Sequence, residues 1–253
     1  MEPTIFHQLI TPVLAFALSF LFALGGVGSA VALVPALSWL GLPLMIAKPT
    51  GLLVNTLSMT GASVSNIRAK RLDFRLGIPI IISSFLLAPL GAWSTQLLPQ
   101  RVLLAAFTLF LVFSGIMLIF FRAAKYTHQY RDDRPLVAPI LIGAGAGYLS
   151  GLLGVGGGGV ISPLLITLGF NPKKVAVITA FVVPFSSLSG LVTYLAMGHA
   201  NMLLMIPAAL AAYIGGSLGT KVMQARLKPS TVKKFLGILL LLLALKMGLQ
   251  LLN

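Results

Sequence analysis

Two stretches of this chain concentrate backbone groups that bind anions. One reads Gly25-Gly26-Val27-Gly28-Ser29-Ala30, the other Gly154-Val155-Gly156-Gly157-Gly158-Gly159. Each precedes an apolar run with a proline in its early part, Pro35 or Pro163. Glycine permits turns closed to other residues and lets a ligand approach the backbone. A helix starting there presents unpaired N–H groups and the positive end of its dipole. Two such ends facing each other make an anion site with no cationic side chain. The plainer reading is that these glycines only let helices pack closely. The second stretch also fits G-x-G-x-x-G. A dinucleotide site needs a strand before that motif and an acidic residue after it. Neither is read here, so that match is discarded.

Hydroxyls and amides within the apolar runs are the next candidates. Asn55, Thr56, Ser58, Thr60 and Ser63 punctuate one run, and Ser186, Ser187, Ser189 and Thr193 its counterpart. Such groups can complete an oxyanion's hydrogen-bond shell. More often they bond back to their own helix or to a neighbour. Asn55 stands out because an amide in hydrocarbon needs a partner. Thr50 and Thr179 stand out because they recur in both stretches. Lys48 lies just beyond the first glycine region, where it either draws anions to an outer vestibule or snorkels to the interface. Lys173 and Lys174 take the corresponding inner position. His199 falls in a short outer loop, and Trp39 and Trp93 near outer helix ends suit an interfacial belt.

What is missing also speaks. The only acids are Glu2, Asp73, Asp132 and Asp133, all outside the apolar runs. A buried carboxylate proton relay is therefore excluded. Anion uniport, coupling through His199, a substrate carrying its own proton, and Na⁺ held by backbone carbonyls remain. No cysteine is present, which removes disulfides, thiolate metal sites and Cys nucleophiles. No metal site or cofactor is expected. H-E-x-x-H, G-x-S-G and paired carboxylates are absent, so no enzyme motif is found.

The elements that position these groups follow from composition. The 253 residues are 58% hydrophobic and 9% charged. Mean hydropathy is +1.02. A soluble domain is about 45–50% apolar and about 25% charged. The chain therefore reads as an all-α polytopic membrane protein, since a spanning helix needs about 20 apolar residues. Continuous rather than alternating apolarity argues for helices over a barrel. Apolar runs cover 8–24, 29–46, 50–67, 74–98 and 102–121. A polar linker follows. Further runs cover 136–153, a short piece to 170, 175–197, 202–223 and 232–252. Eighteen Lys and Arg against four acids give a net charge of +14. In a soluble protein that would suggest nucleic acid. Here the basic residues lie in short loops and read as a topology signal, with no nucleic-acid partner.

The two halves look alike. Residues 26–28 match 154–156, and Pro35, Gly41, Pro79 and Gly91 match Pro163, Gly169, Pro207 and Gly219, all at an offset of 154 − 26 = 128. Thr50 and Gly61 match Thr179 and Gly190 at 129. Charge orients the copies. If each glycine-broken region makes no net crossing, Arg68, Lys70, Arg71, Arg75, Arg122, Lys125, Arg131, Arg134, Lys173, Lys174, Lys221, Arg226, Lys228, Lys233 and Lys234 share one side. That is 15 against three, Lys48, Arg101 and Lys246. The positive-inside rule makes the larger set cytoplasmic and places both termini outside. Each repeat then crosses an odd number of times, so the copies are inverted. A re-entrant hairpin and two short crossing helices both satisfy this parity.

The sequences GGVGSAVALVP and GVGGGGVISP, with the Ala-x-x-Thr at Ala47/Thr50 and Ala176/Thr179, resemble the sulfite exporter TauE/SafE family over nearly the whole chain. The first copy departs from that pattern, with Ser29 and Ala30 where the second has Gly157 and Gly158. The resemblance implies a bacterial inner-membrane transporter of sulfite, sulfonates or other small sulfur-containing anions.

The expectation is therefore two inverted repeats, 1–122 and 136–253, joined by a cytoplasmic linker at 123–135. Each has a glycine-broken helix pair followed by three transmembrane helices. The expected site comprises Gly26, Val27, Gly28, Ser29, Ala30, Thr50, Asn55, Gly154, Val155, Gly156, Gly157, Gly158, Gly159, Thr179, Ser186 and Ser187. Its partners are a small anionic substrate and the lipid bilayer. The inside-negative potential, worth about 2.3 kcal/mol per charge per 100 mV, favours export. An anion channel with the same site and a non-transporting membrane scaffold are the alternatives.

Overall fold

The computed structural model describes residues 4–23, 28–68, 72–120, 135–226 and 229–252. Ten helices are found there: α1 Ile5–Phe22, α2 Ala30–Trp39, α3 Leu44–Arg68, α4 Phe74–Ser94, α5 Gln100–Phe120, α6 Val137–Leu153, α7 Gly158–Thr167, α8 Pro172–Ala196, α9 Met202–Arg226 and α10 Pro229–Leu252. Six are long and apolar enough to cross a membrane: α1, α4, α5, α8, α9 and α10. Large side chains such as Leu86, Leu109 and Leu141 face outwards, as a lipid-facing surface requires. The expected linker falls almost wholly outside the described residues.

Each half has a short helix after a glycine break and then three long ones, as expected. Adding 128 to the bounds of α2 and α3 gives the bounds of α7 and α8. The two short helices also stop the same way. The N–H of Gly41 bonds Ser38 and that of Leu42 bonds Leu37, while Gly169 and Phe170 bond Ile166 and Leu165. These are paired Schellman closures, with φ of +96° at Gly41 and +93° at Gly169.

This closure corrects one boundary. The apolar runs 29–46 and 50–67 place a gap at 47–49. The chain instead turns at 40–43, and α3 runs straight through Lys48, Pro49 and Thr50. The glycine cap stops α2 while apolar residues still remain, and polarity at Lys48 does not stop α3.

Helix direction follows from close contacts. Phe16 meets Gly215 and Phe20 meets Gly219, so α1 and α9 run parallel. Gly143 meets Ile80 and Ser83, and Gly151 meets Ala88, so α6 and α4 also run parallel. By contrast, Asn55 pairs with Ser187 and Ser63 with the Ala180 carbonyl, so α3 and α8 run antiparallel. Gly237 packs on Ile119 and Gly248 on Thr108, so α5 and α10 are antiparallel too.

The α4–α6 seam depends on bare backbone. A methyl group at Gly151 would press into the Ala88 carbonyl, whereas one at Gly145 would meet nothing within 4 Å. Gly151→Ala is expected to cost about 1–3 kcal/mol through overpacking. Gly145→Ala is expected to be neutral or slightly stabilising. Thermal unfolding in detergent measures both.

Candidate anion-binding site

α1 and α2 fold back along each other. At one end of the pair, His7 Nε2 lies 3.0 Å from the Leu40 carbonyl oxygen. Near the other, Ser19 and Ser29 hydroxyls meet at 2.8 Å. The start of α1 and the end of α2 therefore share one side. With 10 residues, α2 rises about 15 Å, half of a roughly 30 Å hydrocarbon core. Its N-terminus sits deep, and Ser29 and Ala30 are fully buried.

Neither α2 nor α7 has a side-chain N-cap hydrogen bond. The first helical bonds of each come from Ala32 and Val160, which reach back to Ser29 and Gly157. The N–H groups of Ala30 and Val31, and of Gly158 and Gly159, come before any such carbonyl. Buried orphan donors of this kind call for an acceptor.

Asn55 brings the two breaks together. It is fully buried near the middle of α3. Its Nδ2 donates to Ser187 Oγ at 3.0 Å, and its Oδ1 is buried with no partner. Gly28 and Gly156 both abut the Asn55 amide, so closely that a Cβ on either would overlap it. Their φ angles are +90° and +81°, which glycine alone adopts freely. The amide serves either way round. With its ends exchanged, the Ser187 hydroxyl donates to Oδ1 and Nδ2 is free to donate to an anion. One amide, one hydroxyl and two bare helix starts thus converge at mid-helix depth.

The other expected residues divide. Gly154 and Gly157 flank this point in the second break, and Gly158 and Gly159 form the buried first turn of α7. Ser29 is tied to Ser19. Thr50 bonds back to the Ile46 carbonyl and Ser186 to that of Val183. Thr179 accepts from Ser162 and so fastens α7 to α8. Val155 belongs to the main apolar core. Gly26 and Val27 lie outside the described residues. His199 lies beyond the end of α8, whose last residue, Ala196, is nine residues and so about 13 Å past Ser187.

Lys48 is not at the surface. It is fully buried in α3, and its Nζ has no hydrogen-bond partner. Its stem lies against Gly154, whose Cβ would stand 2.7 Å from the lysine's Cα and Cβ. The vestibule and snorkelling readings both fail, because α3 begins at Leu44 and carries this side chain inwards. Helical spacing held the missed signal: Lys48, Gly51 and Asn55 share one face of α3.

A family model described as sulfite exporter TauE/SafE matches residues 12–247. "Probable membrane transporter protein YunE" of Bacillus subtilis is 25% identical over 86% of this chain and 89% of its own. "Probable membrane transporter protein y4hK" of Sinorhizobium fredii is 27% identical over 92% and 94%. "Sulfite exporter TauE/SafE family protein 6" of Arabidopsis thaliana is 39% identical over a shorter region, 30% of this chain and 17% of its own. No solved structure matches significantly. The match over nearly the whole chain places this protein, a multi-pass membrane transporter, in the sulfite exporter TauE/SafE family.

Proposed function

We propose that the protein exports a small sulfur-containing oxyanion, such as sulfite or an organosulfonate, across a bacterial inner membrane. The observation that carries this reading is the meeting of both glycine breaks at Asn55. Orphan N–H groups from α2 and α7, together with the Asn55 amide, form a donor set matched to an oxyanion. Hydrogen bonds to a charged partner contribute about 1.5–3 kcal/mol each, so three or four offset much of an anion's desolvation. The substrate class comes from the family's description and from the names of the Arabidopsis relatives.

We further propose that residues 1–122 and 136–253 are inverted repeats joined by a cytoplasmic linker. Support comes from the equivalent pairs α3/α8 and α5/α10, each of which packs antiparallel. Two copies related by an axis along the membrane normal would keep such pairs parallel. The His7–Leu40 contact favours a re-entrant hairpin over two crossings. Rocking of one repeat against the other about Asn55 would then expose the site alternately.

The absence of cysteine makes the orientation testable without background. Arg101 and Arg75 are exposed near the starts of α5 and α4, on sides that the topology makes opposite. Arg101→Cys is expected to react with a membrane-impermeant maleimide in intact cells. Arg75→Cys is expected to react only after lysis. The reverse pattern would place the termini in the cytoplasm. For function, liposomes should show saturable flux of one sulfur oxyanion, and a competing sulfur oxyanion should slow it.

A further inference from the structure

We propose that Lys48 is the cationic ligand of the transported anion, so that substrate supplies the counter-charge that no described residue gives it. This rests on the anion reading above and adds to it a charged side chain that the two glycine breaks do not provide.

Three observations converge. First, Lys48 is fully buried and its Nζ has no hydrogen-bond partner. A buried ammonium without a counter-charge is among the costliest groups a fold can carry. Second, the chain offers it almost nothing to pair with. Its four acids are Glu2, Asp73, Asp132 and Asp133. Asp73, the one acid among the described residues, caps α4 by accepting from the Arg75 N–H. Third, the lysine lies beside the proposed site. Its stem packs on Gly154 while Asn55 packs on Gly156, so the two side chains bracket Val155 of the same loop. Their Cα atoms are seven residues apart on one helix face, about 10 Å.

The position is asymmetric. At the offset of 128 that relates α3 to α8, Lys48 corresponds to Ala176, and at the offset of 129 that aligns the threonines, to Val177; neither is charged. One repeat carries the cation and the other does not. A symmetric pair of amide nests would accept any small acceptor of the right shape. A single ammonium adds a demand for full negative charge and favours the anion over its neutral, protonated form.

The test uses the full-length protein in detergent and in liposomes, with sulfite as the probe. Lys48→Met keeps the length and removes the charge, and Lys48→Arg keeps the charge. In Lys48→Met the KM for sulfite is expected to rise at least 100-fold. Sulfite should no longer raise its thermal midpoint. The midpoint of the empty variant should equal or exceed that of wild type, because an unpaired charge has been replaced by an apolar chain. Lys48→Arg should keep sulfite-induced stabilisation. Lys48→Gln, polar and uncharged, serves if the methionine variant does not fold, with the same loss expected. A KM within threefold of wild type in either uncharged variant overturns the proposal and leaves the amide site standing. Wild-type protein that neither transports nor is stabilised by sulfite, thiosulfate, sulfate or a small sulfonate overturns the anion reading itself, and this inference with it.

Discussion

Asn55→Ala is expected to lower flux of the transported oxyanion about 10- to 100-fold while the protein still folds. The side chain donates to Ser187 and touches both Gly28 and Gly156, so its removal unlinks the two breaks at their meeting point. A hydrogen bond to a charged group contributes about 1.5–3 kcal/mol, and each 1.4 kcal/mol is a factor of ten. The fold should tolerate the change, because the Asn55 Oδ1 has no partner to lose and only one hydrogen bond is broken. Size-exclusion behaviour and the thermal midpoint check that, and liposome flux gives the effect. Ser187→Ala should cost less, about threefold to tenfold, since its hydroxyl orients the amide without reaching across both breaks. Flux unchanged in Asn55→Ala would separate the amide from the transport path.

Gly156→Ala is expected to abolish transport, and comparison with Gly41→Ala shows why. Both glycines have positive φ, +81° and +96°. A residue with a Cβ pays roughly 1–2 kcal/mol in that conformation at either place. Around Gly41 a methyl group meets nothing within 4 Å. At Gly156 it would overlap the Asn55 amide and stand 2.8 Å from Ser187 Oγ. Gly41→Ala should therefore lose stability and keep flux, while Gly156→Ala loses both. Gly28→Ala should behave like Gly156→Ala, since its methyl group would also overlap Asn55. Equal flux in Gly41→Ala and Gly156→Ala would show that backbone strain alone, and not a crowded site, sets the outcome.

Much of this arrangement is visible in the residues, and the rest is hidden for physical reasons. The glycine runs and their spacing of 128 mark the broken helices, because only glycine serves at such turns. The charge count calls for breaks that make no net crossing, and labelling at Arg75→Cys and Arg101→Cys tests it. Asn55 is legible because an amide in hydrocarbon is costly enough to need a purpose. Its partner is less so, since Ser187 stands beside Ser186 and only the helix phase aims one across and the other back to its own backbone. Thr50 and Thr179 recur in both halves, yet one bonds its own helix and the other accepts from Ser162. Recurrence of a residue type carried no shared role there. Lys48 is the least legible of these residues. A lysine next to a proline looks like a loop, and apolarity alone carries the preceding run to 46. The Schellman closure at Gly41 ends α2 earlier, so α3 starts at Leu44 and carries the lysine into the interior.

The most direct test of the central claim is sulfite flux from liposomes holding the purified protein, with and without an inside-negative potential. Thiosulfate, sulfate and a small sulfonate are measured alongside. The expected result is saturable efflux of at least one of them, faster with the potential imposed and reduced at least tenfold in Asn55→Ala. An anion leaving down such a potential gains about 2.3 kcal/mol per charge per 100 mV, so the acceleration should be plain. Absence of flux for all four anions in protein that keeps its thermal midpoint would contradict an oxyanion site where the two glycine breaks meet.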